Sequence, residues 1–177
     1  PRDFTHQLHG NGLETERSYT ADFSRQRATW TRNAMSLNAV VATTAGAPEQ
    51  TSVTRSHAPS GSQFAEHSAF YSKSRGSEAA FHTILSAAPS TDALETTVLC
   101  QGDGLSALSA RHGSQEFLSL LNATGAAASV SLPTLGMVRT DASAFHCVLD
   151  SAGRPELWML DEGSFIRSDD RVLLSSS

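Results

Sequence analysis

Apolar residues in this chain come in short runs rather than in helical stripes. From residue 94 onward the runs cover 97–100, 105–108, 117–121, 128–132, 136–139, 145–149, 156–160 and 171–174, and Gly, Pro, Asp or Ser separates most of them. Short runs recurring every 8 to 15 residues or so, with turn residues between them, are the pattern of an all-β sandwich or barrel. Upstream, Ala39-Val40-Val41-Ala42 is a compact apolar run. Residues 63–71 alternate imperfectly, 73–77 read as a turn and 79–86 as a further strand. The linkers are too short for crossover helices, which leaves antiparallel pairing. Residues 150–155 form the clearest hairpin connection, with Gly153 able to take a positive φ and Pro155 starting the return strand. The expectation is an antiparallel β-sandwich of about 10–12 short strands.

Two stretches lack such runs. Residues 1–21 mix Gly, Asn and charge without a period and read as an irregular lead segment. Residues 43–62, dense in Thr, Ser, Ala, Gly and Pro, read as a surface excursion between strands. The predicted organisation is a lead over 1–21 and one sandwich domain over 22–177.

Composition narrows the function classes. A chain of 177 residues with 39% hydrophobic content fits one well-buried domain. It contains no run of about 18 apolar residues that would cross a membrane as a helix. The formal net charge of −5 argues against nucleic acid as a partner. Pro1 in place of an initiator Met, with no apolar signal segment after it, reads as a processed or excised piece. Cys100 and Cys147 permit one disulfide at most, and their apolar surroundings favour two buried thiols. There is no G-x-S-x-G elbow, Gly-rich phosphate loop, zincin motif or CxxC, so the common hydrolase, nucleotide and zinc-ribbon readings fall away. His6 and His9 have a helical metal spacing, but Gly10-Asn11-Gly12 speaks against a helix. Gly102-Asp103-Gly104 and Asp161-Glu162-Gly163 read as turns. Neither a metal nor another cofactor is expected.

The sign of the charge is uneven. Residues 17–32 hold four arginines and one aspartate, and Arg25, Arg27 and Arg32 surround Trp30. Arginine grips carboxylates in a planar, bidentate fashion, and an indole offers a flat face to a sugar ring. An acidic carbohydrate is the ligand this cluster suits. The plainer alternative is a solvated charged edge with Trp30 capping the core.

The order Trp30-Thr31-Arg32-Asn33-Ala34-Met35-Ser36-Leu37-Asn38-Ala39-Val40-Val41, with Gln50 following and Asp22 and Arg25 leading in, resembles the start of the β-sandwich domain of the heparinase II/III-like polysaccharide lyases. The likeness covers roughly the first 50 residues, and Phe81-His82 resembles a pair that recurs in the same sandwich. It implies cleavage of a uronic-acid polysaccharide by β-elimination, with this chain as one wall of a cleft. It also implies a helical toroid ahead of the sandwich, here missing, as a partner domain, and a secreted or periplasmic place in a bacterium. One departure is plain: Leu37 stands where the family has a catalytic His.

β-Elimination requires donors that neutralise the sugar carboxylate and groups that move protons at C5 and O4. For the first task the resemblance and the residue types nominate Arg25, Trp30, Arg32, Asn33 and Asn38. For the second they nominate Tyr19 and Tyr71, although Tyr19 also suits a core ring. Leucine moves no proton, so the rival reading is a non-catalytic β-sandwich module that binds carbohydrate or packs on a partner domain, with Trp30 or Trp158 as a platform.

Overall fold

A computed structural model describes residues 1–10, 17–57, 65–89, 91, 94–169 and 171–175. In these residues sixteen strands follow one another: β1 (Arg2–His9), β2 (Arg17–Asp22), β3 (Arg27–Arg32), β4 (Met35–Thr43), β5 (Glu49–His57), β6 (Ala65–Gly76), β7 (Phe81–Pro89), β8 (Glu95–Gly102), β9 (Leu105–His112), β10 (Gln115–Asn122), β11 (Ala128–Leu132), β12 (Gly136–Thr140), β13 (Ala144–Leu149), β14 (Pro155–Asp161), β15 (Phe165–Ser168) and β16 (Arg171–Ser175). A single 3₁₀ turn, Phe23–Arg25, joins β2 to β3. The chain is all-β and every strand pair is antiparallel, as the run spacing predicts. None of its described helical structure is long and apolar enough to cross a membrane.

The strands make four sheets: A (β1-β6-β5), B (β2-β3-β4-β7), C (β14-β13-β10-β9-β8) and D (β11-β12-β15-β16). Three apolar cores lie between them. Phe70 of sheet A meets Ala28 and Val41 of sheet B, with Leu8, Tyr19 and Trp30 around them. Val40 and Ala42 of sheet B meet Leu108 of sheet C. The largest core joins sheets C and D through Leu118, Leu120, Phe145, Leu149, Val138 and Ile166.

Successive side chains on a strand point to opposite faces, so a strand packed on both sides is apolar throughout. β4 is such a strand: Ala39, Val40, Val41, Ala42 and Thr43 are all fully buried. That is why its run was continuous where most others alternated. β13 shows the ordinary case, with Phe145, Cys147 and Leu149 buried and the residues between them only partly so.

The strand count exceeds the 10–12 expected, and the extra strands are polar ones. Residues 2–9, expected to be irregular, form β1 and pair with β6 from Arg2↔Gly76 to His9↔Ala69. Its alternation was present in Phe4, His6 and Leu8, with His6 standing at an inward position. Residues 73–76 continue β6 instead of turning. β5 lies within the supposed excursion of 43–62 as the edge of sheet A, where only one face needs apolar side chains. Residues Arg27–Arg32, read as charge ahead of a strand, are themselves β3.

Several turns match the sequence reading. Asp150 Oδ1 accepts from the backbone N–H groups of Ala152 and Arg154, both at 2.8 Å, Gly153 has φ 72° and Pro155 opens β14. Asp103 and Gly104, both at positive φ, make the β8–β9 turn. Cys100 and Cys147 are free thiols, and burial, with Glu116 adding to it, pushes Cys147 up to about 12. His6 and His9 are three apart on β1 and so face opposite sides.

Emptying the core between sheets A and B should be costly. Phe70→Ala is expected to destabilise the fold by about 3–5 kcal/mol, and Leu85→Ala, at a 55% exposed position, by less than about 0.5 kcal/mol. Urea denaturation of both variants checks this; equal costs would mean that Phe70 does not join the sheets.

Candidate functional site

Sheet B sits off-centre on sheet C. β4 lies over β8 and β9, and β7 over β9. The 3₁₀ turn and the start of β3 therefore overhang β8, the edge strand of sheet C, while the faces of β10, β13 and β14 extend beyond β7. Each offset leaves a hollow.

The first hollow, about 650 Å³, lies between residues 24–27 and β8. Asp22 caps the 3₁₀ turn by accepting from the Arg25 backbone N–H at 3.2 Å and from Ser24 Oγ at 2.6 Å. Those bonds, with the nearby Arg25 charge, hold the Asp22 carboxyl below its ordinary range. Gln26 follows at φ 54°, and its carbonyl accepts from the Val41 N–H at 3.1 Å. This tight turn brings Arg25 and Arg27 to one groove, opposite Thr96, Thr97 and Gln101. Glu95 lies at the same groove, so an anion is favoured only toward the arginines. Three buried side-chain oxygens of the lining, Gln26 Oε1, Thr96 Oγ1 and Gln101 Oε1, have no hydrogen-bond partner among the described residues. Unpaired buried polar atoms are uncommon in folded proteins, and these three lie behind the surface of the groove.

The nominated residues do not form one cluster. Arg25 is exposed and 3.7 Å from Asp22 in a surface ion pair. Arg32 lies at the far end of β3 from Arg27, about 17 Å away by strand geometry. Asn33, at φ 49°, and Ala34, at φ 61°, form the two-residue β3–β4 turn, so Asn33 serves the backbone geometry of a hairpin. Asn38 is buried on the face toward sheet C and accepts from Thr29 Oγ1 at 2.9 Å. Trp30 packs between sheets A and B, donates its N–H to the Ser68 carbonyl at 3.1 Å and meets Tyr19 at 5.4 Å. It caps the core and offers no free platform. Trp158 is stacked on Phe145 at 5.4 Å.

The two tyrosines point away from each other. Tyr19 lies inside the interface of sheets A and B, 2.5 Å from Ser52 Oγ, and burial raises its pKa. Tyr71 is on the outer face of sheet A and accepts from Gln7 Nε2 at 2.7 Å. Neither lines the groove. Leu37 is 39% exposed beside Trp30 and Ala87, so it lies beyond the packed part of the core. Gln50 is turned inward, 3.1 Å from Ser72 Oγ.

A second cluster had no signal in residue spacing. Buried His82 on β7 contacts Ser106 Oγ through Nδ1 at 3.0 Å and Ser119 Oγ through Nε2 at 2.6 Å. Ser119 Oγ also meets His146 Nδ1 at 2.8 Å. Burial, reinforced by His146, pushes His82 down to about 4, and burial lowers His146 as well. Only the fold joins these residues from β7, β9, β10 and β13. Among the described residues no group of three or more His, Cys, Asp or Glu side chains could hold a metal ion.

No family model matches this chain, and no curated protein matches it.

His82 makes stability pH-dependent. Its folded pKa lies below the ordinary 6.5, so the unfolded chain takes up the proton first as pH falls. Stability is therefore full above about pH 6.5, declines toward about pH 4, and loses at most about 3 kcal/mol from this group. His6 and His146, also lowered, add the same sign. Denaturation at neutral pH and at about pH 4.5 should show a smaller difference in His82→Asn than in the parent; an unchanged difference would put the dependence elsewhere.

Proposed function

We propose that the chain is a β-sheet module that binds an acidic polysaccharide in the groove between residues 24–27 and β8. One observation carries this reading: two arginines, Arg25 and Arg27, line the same hollow opposite the polar residues of β8. Arginine meets a uronate carboxylate with charge-assisted hydrogen bonds. Trp30, Asn33 and Asn38 support the fold around the groove, and Arg32 lies outside it.

The second reading makes the chain one wall of a lyase that cleaves its polymer by β-elimination. The resemblance around Trp30–Val41 and the partial exposure of Leu37 favour it. On that reading the groups that move protons come from a partner domain, since Tyr19 and Tyr71 are engaged elsewhere.

Calorimetric titration with alginate oligosaccharides tests the first reading. Arg25→Ala and Arg27→Ala should each weaken binding by about tenfold and flatten its salt dependence. Arg32→Ala should change affinity by less than about twofold. The chain alone should release no unsaturated uronate, as followed by ultraviolet absorbance. Binding unaffected by either groove arginine would overturn the assignment, and product release by the chain alone would favour the lyase.

A further inference from the structure

β7 is an edge strand whose open side faces a cleft. It pairs with β4 and, among the described residues, with no other strand. The Thr44 N–H donates to the Ala80 carbonyl at 3.0 Å, which fixes the phase of the ladder. In an antiparallel pair each residue turns both its N–H and its C=O to one side, and the side alternates along the strand. With the register running from Thr43↔Phe81 to Met35↔Pro89, His82, Ile84, Ser86 and Ala88 bond to β4. Thr83, Leu85 and Ala87 turn their groups to the open edge, where they have no backbone partner among the described residues. Sheet edges are commonly guarded by charged side chains or Pro. Of the edge strands in the four sheets, β7 is the longest without Asp, Glu, Lys or Arg, and its one Pro is the last residue, Pro89.

Residues 83–88 of β7 form one wall of a cleft of about 640 Å³, and sheet C forms its floor. Neighbouring strands lie about 4.8 Å apart. A strand added to β7, which lies over β9, would therefore lie over β10. The floor there is built in two rows: Phe117 beside Val148 and Leu157, then Ser119 beside His146 and Met159. Phe117 is 39% exposed, Leu157 63% and Met159 59%, and no Asp, Glu, Lys or Arg lines the cleft. Open backbone groups and an apolar floor thus meet at one place, each at the position that one further strand of sheet B would fill.

We propose that β7 and the floor of sheet C together bind an extended segment of a partner protein, which adds antiparallel to β7 and carries apolar side chains at every second residue. Thr83, Leu85 and Ala87 supply the backbone hydrogen bonds, and the floor selects the side chains. Segment residues opposite Ile84 and Ser86 face sheet C, and the residue opposite Leu85 faces away from it. The occupant is a lone strand rather than the β7 of a second copy. Antiparallel pairing of two β7 edges about a two-fold axis would put both C sheets on one side of the joined B sheets, where the overhang of each would run into the other. The site is separate from the arginine groove and does not depend on it.

Fluorescence anisotropy with a labelled peptide of alternating valine and threonine, closed by a lysine at each end, tests the proposal. Valine takes the positions facing sheet C, so the threonine amides are the ones that bond to β7. N-methylation of the threonine amides should weaken binding by at least about tenfold, and N-methylation of the valine amides by less than about threefold. Leu85→Pro removes one donor from the open edge without touching the ladder to β4 and should weaken binding about tenfold. Phe117→Ala, on the floor, should weaken it similarly and provides the test should Leu85→Pro fail to fold. No binding of the unmethylated peptide, equal sensitivity to the two methylation patterns, or affinity unchanged in Phe117→Ala would overturn the proposal. So would a dimer in sedimentation that Leu85→Pro dissociates, since the edge would then belong to a second copy.

Discussion

The structure depends on one strand being buried on both faces. β4 places Val41 against Phe70 of sheet A and Val40 and Ala42 against Leu108 of sheet C. Its neighbours follow from that constraint. A strand with two apolar faces has no face left for solvent, so sheet B must lie between two others. Small residues at Ala28, Ala39 and Ala42, all fully buried, let the layers approach closely.

How sheet B is seated on sheet C then determines the surface chemistry. Were B centred over C, the face of β10, β13 and β14 would be covered, and residues 24–27 would not overhang β8. The lateral offset produces two hollows of opposite character. One takes its polarity from Arg25 and Arg27 on a tight turn. The other is an apolar floor with His146 at its base, linked through Ser119 to His82. The first supports the proposed role in binding acidic polysaccharide. The His82 network sits in the packed region where β7 crosses β9, and its neutral form is part of what stabilises that crossing at neutral pH.

Strand identity was legible in the sequence wherever one face was apolar and turn residues flanked the run. From β8 to β14 the runs and the Asp150–Pro155 turn read directly. Edge and polar strands were not legible in the same way. β5 carries Glu, Gln, Thr, Ser and Arg because its pairing supplies backbone hydrogen bonds while few of its side chains need burial. Of the nominated site residues, Arg25 reached a groove because a capped turn aims it there. Trp30 and Asn38 went inward, because tertiary packing decides which face of a strand meets a neighbouring sheet. The partnership of His82, Ser119 and His146 spans three strands in two sheets, and no spacing along one chain encodes it.

On the proposed reading, the offset of sheet B makes the turn over β8 a recognition surface. Amide chemical-shift mapping during titration with a uronate oligosaccharide tests this most directly. The largest shifts are expected on residues 24–27 and 95–101, with the β3–β4 turn at Asn33 and Ala34 unaffected. Shifts centred on that turn, or on the outer face of sheet A around Tyr71, would contradict it.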